Sequence, residues 1–102
     1  MKNFNKIISQ VDTKKLTNNT QRLFFHLLAA NGEWVSSKKL NSMMRSVSQR
    51  ISELRDPNFG GFSVQCKRAT EIGLDGDRNT FYYRLVPRSV TVKKAKSLLR
   101  IK

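Results

Sequence analysis

Residues 46–55 read SVSQRISELR. Val47, Ile51 and Leu54 fall at helical spacing, Gln49 and Ser52 lie opposite them, and Ser48, Arg50 and Arg55 sit on the flanks. Such a segment is either a solvated amphipathic helix or one whose polar face is aimed at a partner, and its neighbours decide between the two. Ser46 followed by Gln49 forms a capping box that opens the helix at Val47. The run DPNFGG, residues 56–61, ends it, because Pro57 disfavours helix at Asp56 and the glycines permit a tight turn.

Upstream, Phe4, Ile7, Ile8 and Val11 form one stripe of a short helix that Asn3 could cap. The polar run DTKKLTNN breaks the periodicity. Asn18 with Gln21 is a second capping box, opening a helix from about Asn19 to Ala30 that buries Leu23, Phe24, Leu27 and Leu28 and stops at Asn31-Gly32. The stretch EWV is long enough only for a scrap of strand. Ser36 or Ser37 then caps a short helix through KKLNSMM, with Leu40 and either Met43 or Met44 inward. Downstream, FSVQCKR alternates Phe62, Val64 and Cys66 against polar neighbours, and TFYYRLV alternates Phe81, Tyr83 and Leu85, so two strands flank the loop ATEIGLDGDRN. After Pro87, SVTVKKAKSLLRIK can form a last helix with Val92, Ala95, Leu98 and Leu99 on one side. The chain therefore divides into an N-terminal helix and linker (1–16), a central domain (17–87) and a basic tail or helix (88–102).

Helix, short strand, short helix, tight turn, helix and hairpin, in that order, predict an α+β fold of the winged helix-turn-helix type: a three-helix core, a two-stranded hairpin wing and short terminal helices. In that arrangement SVSQRISELR is the recognition helix. A helix with its side chains is about as wide as the major groove of DNA.

The segments TQRLFFHLLAANGEWVSSKKL, SQRISELR, FSVQCKR and FYYRL together resemble the small helix-turn-helix domains common in bacteriophage and prophage genomes. Their signature is a helix reading R-I-x-x-L-R followed by a hairpin ending in Y-R-L, and the resemblance covers residues 17–87. It implies a DNA-binding winged helix of mobile-element origin, such as a phage regulator. It points to Arg50, Ile51, Leu54 and Arg55 in the helix and to Tyr83, Arg84 and Leu85 in the last strand. The DPNFGG insertion and the basic C-terminal extension depart from the usual short forms.

The 102 residues carry 20 Lys plus Arg against 7 Asp plus Glu, a formal charge of +13. An excess this large draws polyanions, nucleic acid first, anionic membrane second and acidic proteins third. Residues 36–58 hold five basic and two acidic side chains, residues 59–87 four and three, and residues 88–102 six and none, so the tail is the most purely basic segment. The expected DNA face comprises Lys38, Lys39, Arg45, Ser46, Ser48, Gln49, Arg50, Ser52 and Arg55. The hairpin base (Lys67, Arg68, Arg78) and the tail (Lys93, Lys94, Lys96) are expected on flanking phosphates. Gln49 is the expected adenine reader, and Arg45 or Arg55 could read guanine.

Other chemistry finds little support. No nucleophile, carboxylate pair or phosphate loop can be assembled, so no enzyme activity and no cofactor are expected. Cys66 with His26 is too small a set for a structural zinc. Asp75, Asp77 and Asn79 have calcium-loop spacing but lack the required glycine and closing glutamate. His26 reads as core packing and Cys66 as a small buried hydrophobe on the inward face of its strand. Trp34 and the strand aromatics read as core, with Tyr82 alone placed to stack on a base. MKNFNKIISQVD lacks a signal peptide's apolar region and no stretch is long enough to span a membrane, so a cytoplasmic protein associated with the host nucleoid is expected, as monomer or homodimer. Two rival functions stand beside a duplex-reading regulator. One is an architectural or recombination-directing DNA binder of weak sequence preference; the other is an interaction module that inhibits a host protein.

Overall fold

The computed structural model describes residues 4–16, 18–76 and 79–99. These residues form six α-helices and a three-stranded antiparallel sheet, a mixed α+β architecture. The chain opens with α1 (Asn5–Ser9), whose stripe of Phe4 and Ile7 is buried, with Ile8 and Val11 packed against the core. The proposed cap, Asn3, lies outside the described residues.

Next comes α2 (Asn19–Ala29), the central helix. Asn18 caps it by accepting the Gln21 backbone N–H at 2.8 Å. The Gln21 side chain is buried, and its amide nitrogen donates to the Leu98 carbonyl, 3.0 Å away at the other end of the chain. Leu23, Phe24, Leu27 and Leu28 all face the core. Asn31 and Gly32, both at positive φ, turn the chain out of the helix.

The scrap of strand, β1 (Val35–Ser36), leads directly into α3 (Ser37–Met43), where the Ser36 hydroxyl accepts the Lys38 N–H. Leu40 is fully buried. Of the two methionines, Met44 is buried and Met43 is exposed. Residues 44–46 connect α3 to α4 (Val47–Arg55), whose Val47, Ile51 and Leu54 complete the helical core. The helix starts where expected, but Ser46 does not act as a capping-box residue. It adopts the left-handed conformation, φ 58 and ψ 44, and its hydroxyl makes no cap bond. The short connection has to reverse direction within three residues, and the backbone torsion that does so turns the hydroxyl away from the helix.

After a turn held by three N–H groups, of Phe59, Gly60 and Gly61, on the Asp56 carbonyl, the chain enters β2 (Val64–Arg68). The expected loop contains a further short helix, α5 (Ala69–Ile72), closed by Gly73 in the left-handed region. It returns through β3 (Phe81–Leu85), which pairs in full register with β2, from Val64 opposite Leu85 to Arg68 opposite Phe81. The expected two-stranded hairpin gains a third strand because β1 pairs with the free edge of β3, Val35 opposite Tyr83 and Ser36 opposite Tyr82. The sheet order is β1-β3-β2.

A 3-10 turn at Pro87–Ser89 and α6 (Val92–Leu98) finish the described chain. The described part of the basic tail is therefore largely helical and docked. Ala95 and Leu99 are buried, Leu98 is partly buried and the Thr91 hydroxyl caps the first turn. Val92, expected on the apolar side, is instead 51% exposed, while Val90, just before the helix, is fully buried. The core joins all these elements: Phe24 and Phe62 stack with ring centroids 4.8 Å apart, tying α2 to the approach to β2. No helix among the described residues is long and apolar enough to cross a membrane.

Candidate nucleic-acid interface

The polar side of α4 is the natural place to build from, because its apolar side is fully used. Gln49 and Ser52 project away from Val47, Ile51 and Leu54 and are exposed, as are Ser48 on one flank and Arg45 and Ser46 in the preceding turn. Nothing in the fold covers the side chains that sequence periodicity placed opposite the core.

The two arginines of the helix behave differently from that group. Arg50 is half-buried and its Nη2 lies 3.1 Å from Glu53 Oε1, one turn along the helix. The second oxygen of Glu53 accepts the buried Thr20 hydroxyl, so the ion pair is anchored to the first turn of α2. Arg55 donates from both Nε and Nη2 to the Val64 carbonyl, at 3.0 and 2.6 Å. This is a charge-assisted fork that ties the end of α4 to the start of β2. Each arginine thus has a structural partner before any ligand arrives.

The other end of α4 lies near Tyr83 of β3, which its alternation assigned to the core and which the phage-domain resemblance singles out. The Tyr83 side chain is half-buried, with Ser48, Cys66 and Arg55 near its hydroxyl. Burial pushes the Tyr83 phenol above its ordinary value of 10.0, Cys66 beside it adds to the rise, and the Ser48 hydroxyl and the Arg55 cation oppose it. Cys66 is directly opposite Tyr83 in the β2-β3 register, and it is exposed rather than buried. The register keeps Val64 and Cys66 on one face of β2. However, the core covers its inward face only at Val64, and beyond that residue all of β2 is exposed.

The remaining expected contacts fall into separate places. Lys38 is exposed on α3, and Lys39 leans toward α2, where it lines a hollow of about 220 Å³ with His26, Ala29, Val35 and Met43. His26 packs edge-on to Phe25 at 5.5 Å. Burial, with the Lys39 charge second, lowers its pKa from 6.5. Lys67 is exposed on the outer face of the sheet, while Arg68, on the opposite face, lies 5.8 Å from the centre of the Phe81 ring. Arg78 and Asp77 lie outside the described residues. On α6, Lys93 and Lys94 are exposed and Lys96 is half-buried, and Lys94 donates to the Gly60 carbonyl at 3.1 Å, beside the turn that follows α4. The fold therefore brings Arg45, Ser48, Gln49 and Ser52 onto one surface. It leaves Lys39, on the hollow beside α2, Lys67 and Arg68, on the two faces of β2, and the α6 lysines elsewhere.

Among the described residues one ion pair forms, Arg50 with Glu53, and no cluster of three metal-ligating side chains occurs. Comparison with protein-family models, with curated proteins and with solved structures found no match for this chain.

Proposed function

We propose that the chain is a winged helix-turn-helix protein that binds duplex DNA, with α4 as its recognition helix in the major groove and the β2-β3 hairpin as its wing. The observation that carries this reading is the surface of α4. It is the second of two helices joined by three residues, its apolar side is consumed by the core, and the opposite side exposes Gln49 and Ser52. A glutamine amide in that position can bond adenine bidentately, and a helix fits the ~12 Å width of the groove. The element order from α2 to β3 supports the same reading, as does the charge of +13. With one ion pair among the described residues, most of the cationic side chains have no carboxylate to give up before meeting phosphates. The resemblance of residues 17–87 to phage helix-turn-helix domains favours a role as a phage or prophage regulator acting on the host nucleoid.

A second reading is favoured by one specific observation. Because Arg50 and Arg55 are both engaged within the protein, the exposed face of α4 offers few strong base readers, which suits an architectural binder of low sequence preference. Recovery and sequencing of genomic fragments bound at near-physiological salt separates the two. Enrichment of a defined site supports the regulator, and uniform recovery supports the architectural role. Absence of any recovered DNA, with stable co-purification of an acidic host protein instead, would overturn both. On an enriched site Gln49→Ala is expected to cost ~1–3 kcal/mol and to relax discrimination at one base position, leaving random duplex nearly unaffected.

A further inference from the structure

The outer face of the sheet carries a pattern of side chains that the duplex contact does not use. The register sets Trp34, just before β1, beside Arg84 and Gln65, and in the next row Ser36, Tyr82 and Lys67. The Arg84 guanidinium carbon lies 5.4 Å from the centre of the Trp34 ring, so the cation is laid over the indole. The Tyr82 hydroxyl donates to the Asp75 carbonyl at 2.7 Å, which fixes the phenol ring on the same face. Gln65 and Lys67 are exposed, while Trp34, Tyr82 and Arg84 are half-buried. No carboxylate among the described residues pairs with Arg84 or Lys67, and Arg84 Nε, on the covered side of the guanidinium, is buried without a hydrogen-bond partner. Sequence alone had placed only Tyr82 on an accessible face; strand β1, by pairing with β3, adds the indole and its guanidinium.

We propose that this face is a second nucleic-acid site, one that binds a single strand by stacking its bases on Arg84, held over Trp34, and on Tyr82, with Lys67 on the backbone. Guanidinium planes and aromatic rings stack on any base, which suits recognition by composition of the surface rather than by sequence. Spacing selects the form of the ligand. Same-face positions along a strand are ~6.8 Å apart, two rises of ~3.4 Å, whereas nucleotides in a duplex advance by only ~3.4 Å along the helix axis. The platform therefore matches an extended, unstacked strand and mismatches a duplex. Gln65, exposed at the edge of the upper row, adds an amide for a base edge. The site shares no side chain with the exposed surface of α4, so it stands whether or not α4 reads duplex DNA.

Trp34 is the only tryptophan in the chain, and its emission is a direct reporter. The full-length protein is titrated with oligothymidine of about twelve nucleotides, within the usual site size of ~4–16. A parallel titration uses an abasic oligomer with the same number of phosphates. The expected result is quenching of Trp34 by oligothymidine, and binding of the abasic strand weaker by about 5-fold or more, the loss of at least one stacked base. Arg84→Lys, which keeps the charge and loses the plane, and Tyr82→Leu are each expected to weaken oligothymidine by about 5-fold or more while leaving duplex binding unchanged. Gln49→Ala with Ser52→Ala is expected to do the reverse, so the two sites fail separately. Equal affinity for the abasic strand, or binding of oligothymidine without any change in Trp34 emission, would overturn the proposal using the unaltered protein alone.

Discussion

Glu53→Gln tests the placement of α4 more sharply than removing any cation. Glu53 is the only acidic residue within the helix, and it holds Arg50 at 3.1 Å while accepting the Thr20 hydroxyl. Glutamine keeps an oxygen for Thr20 and loses the charge that restrains Arg50. The stability cost follows from the two interactions. A half-exposed ion pair, with side chains 23% and 36% accessible, is screened by solvent and is worth at most ~1 kcal/mol. The Thr20 bond weakens from a charged to a neutral one, from ~1.5–3 to ~0.5–1.5 kcal/mol, again reduced by partial exposure. A net loss of ~1 kcal/mol is expected, or ~4–8 °C in Tm for a domain of this size. Binding should move the other way. One released guanidinium on the flank of the recognition helix adds about one phosphate contact, steepening the dependence of log K on log salt by ~0.9 and strengthening duplex binding by about 3- to 10-fold near 0.1 M salt. Fluorescence anisotropy titrations on random and preferred duplexes at several salt concentrations measure both quantities, and a thermal melt measures the first. A protein that is less stable but unchanged in affinity and slope would mean that this flank of α4 does not approach the DNA backbone, and the docking geometry would be wrong.

Further outcomes follow from the same geometry. Ile51→Ala and Leu54→Ala, at positions 2% and 0% exposed, should each lose ~2–5 kcal/mol in denaturant unfolding; unaltered midpoints for both would mean that the helix is wrongly oriented. Replacing Lys93, Lys94 and Lys96 together with Ala should weaken specific and random duplex alike and reduce the salt slope by up to about 3 if α6 meets the backbone, whereas an unchanged slope would confine the contact to α3, α4 and the sheet. The pH dependence is set by His26, whose pKa is lowered from 6.5 in the folded chain by burial and by Lys39. The unfolded chain takes up this proton first as pH falls, so stability is full above 6.5 and declines below it toward the folded pKa. His26→Gln should flatten that part of the unfolding midpoint against pH, and an undiminished slope in the variant would assign it to other groups.

The helices were legible because their signals are local. A 3.6-residue stripe and a cap residue sufficed for α2 and α3, and the buried triad Val47, Ile51 and Leu54 fixed the orientation of α4. What failed depended on partners far along the chain. Ser46 satisfies the capping-box pattern, yet the packing of α3 against α4 demands a left-handed residue there, and that torsion overrides the pattern. Gln21 is capped by Asn18 as its spacing implies, but nothing local announces that its side chain also reaches Leu98, 77 residues away. Alternation placed Cys66 on the correct face of β2 but could not tell how far the core extends beneath that face. The third strand has no signature of its own, because two residues carry no period, and the Trp34-Arg84 stack becomes visible only once β1 is paired with β3. The engagement of Arg50 and Arg55 was hidden for the same reason. Charge in a sequence shows what can attract a polyanion, not what has already been taken up by a neighbouring carboxylate or carbonyl.

That engagement bears on how the proposed interface works as a unit. Arg55 fastens the last turn of α4 to the Val64 carbonyl at the start of β2. A second contact, the Thr20 hydroxyl donating to Glu53, secures the same helix to α2. The exposed Gln49 and Ser52 are therefore carried on a helix fastened to both the sheet and α2 before DNA arrives. Binding then needs little further ordering of the backbone, and more of the contact energy is retained as affinity. On this account the two arginines serve base reading indirectly: their charge is spent on holding the helix, and the cations that meet phosphates come from exposed positions such as Lys38, Arg45 and Lys93.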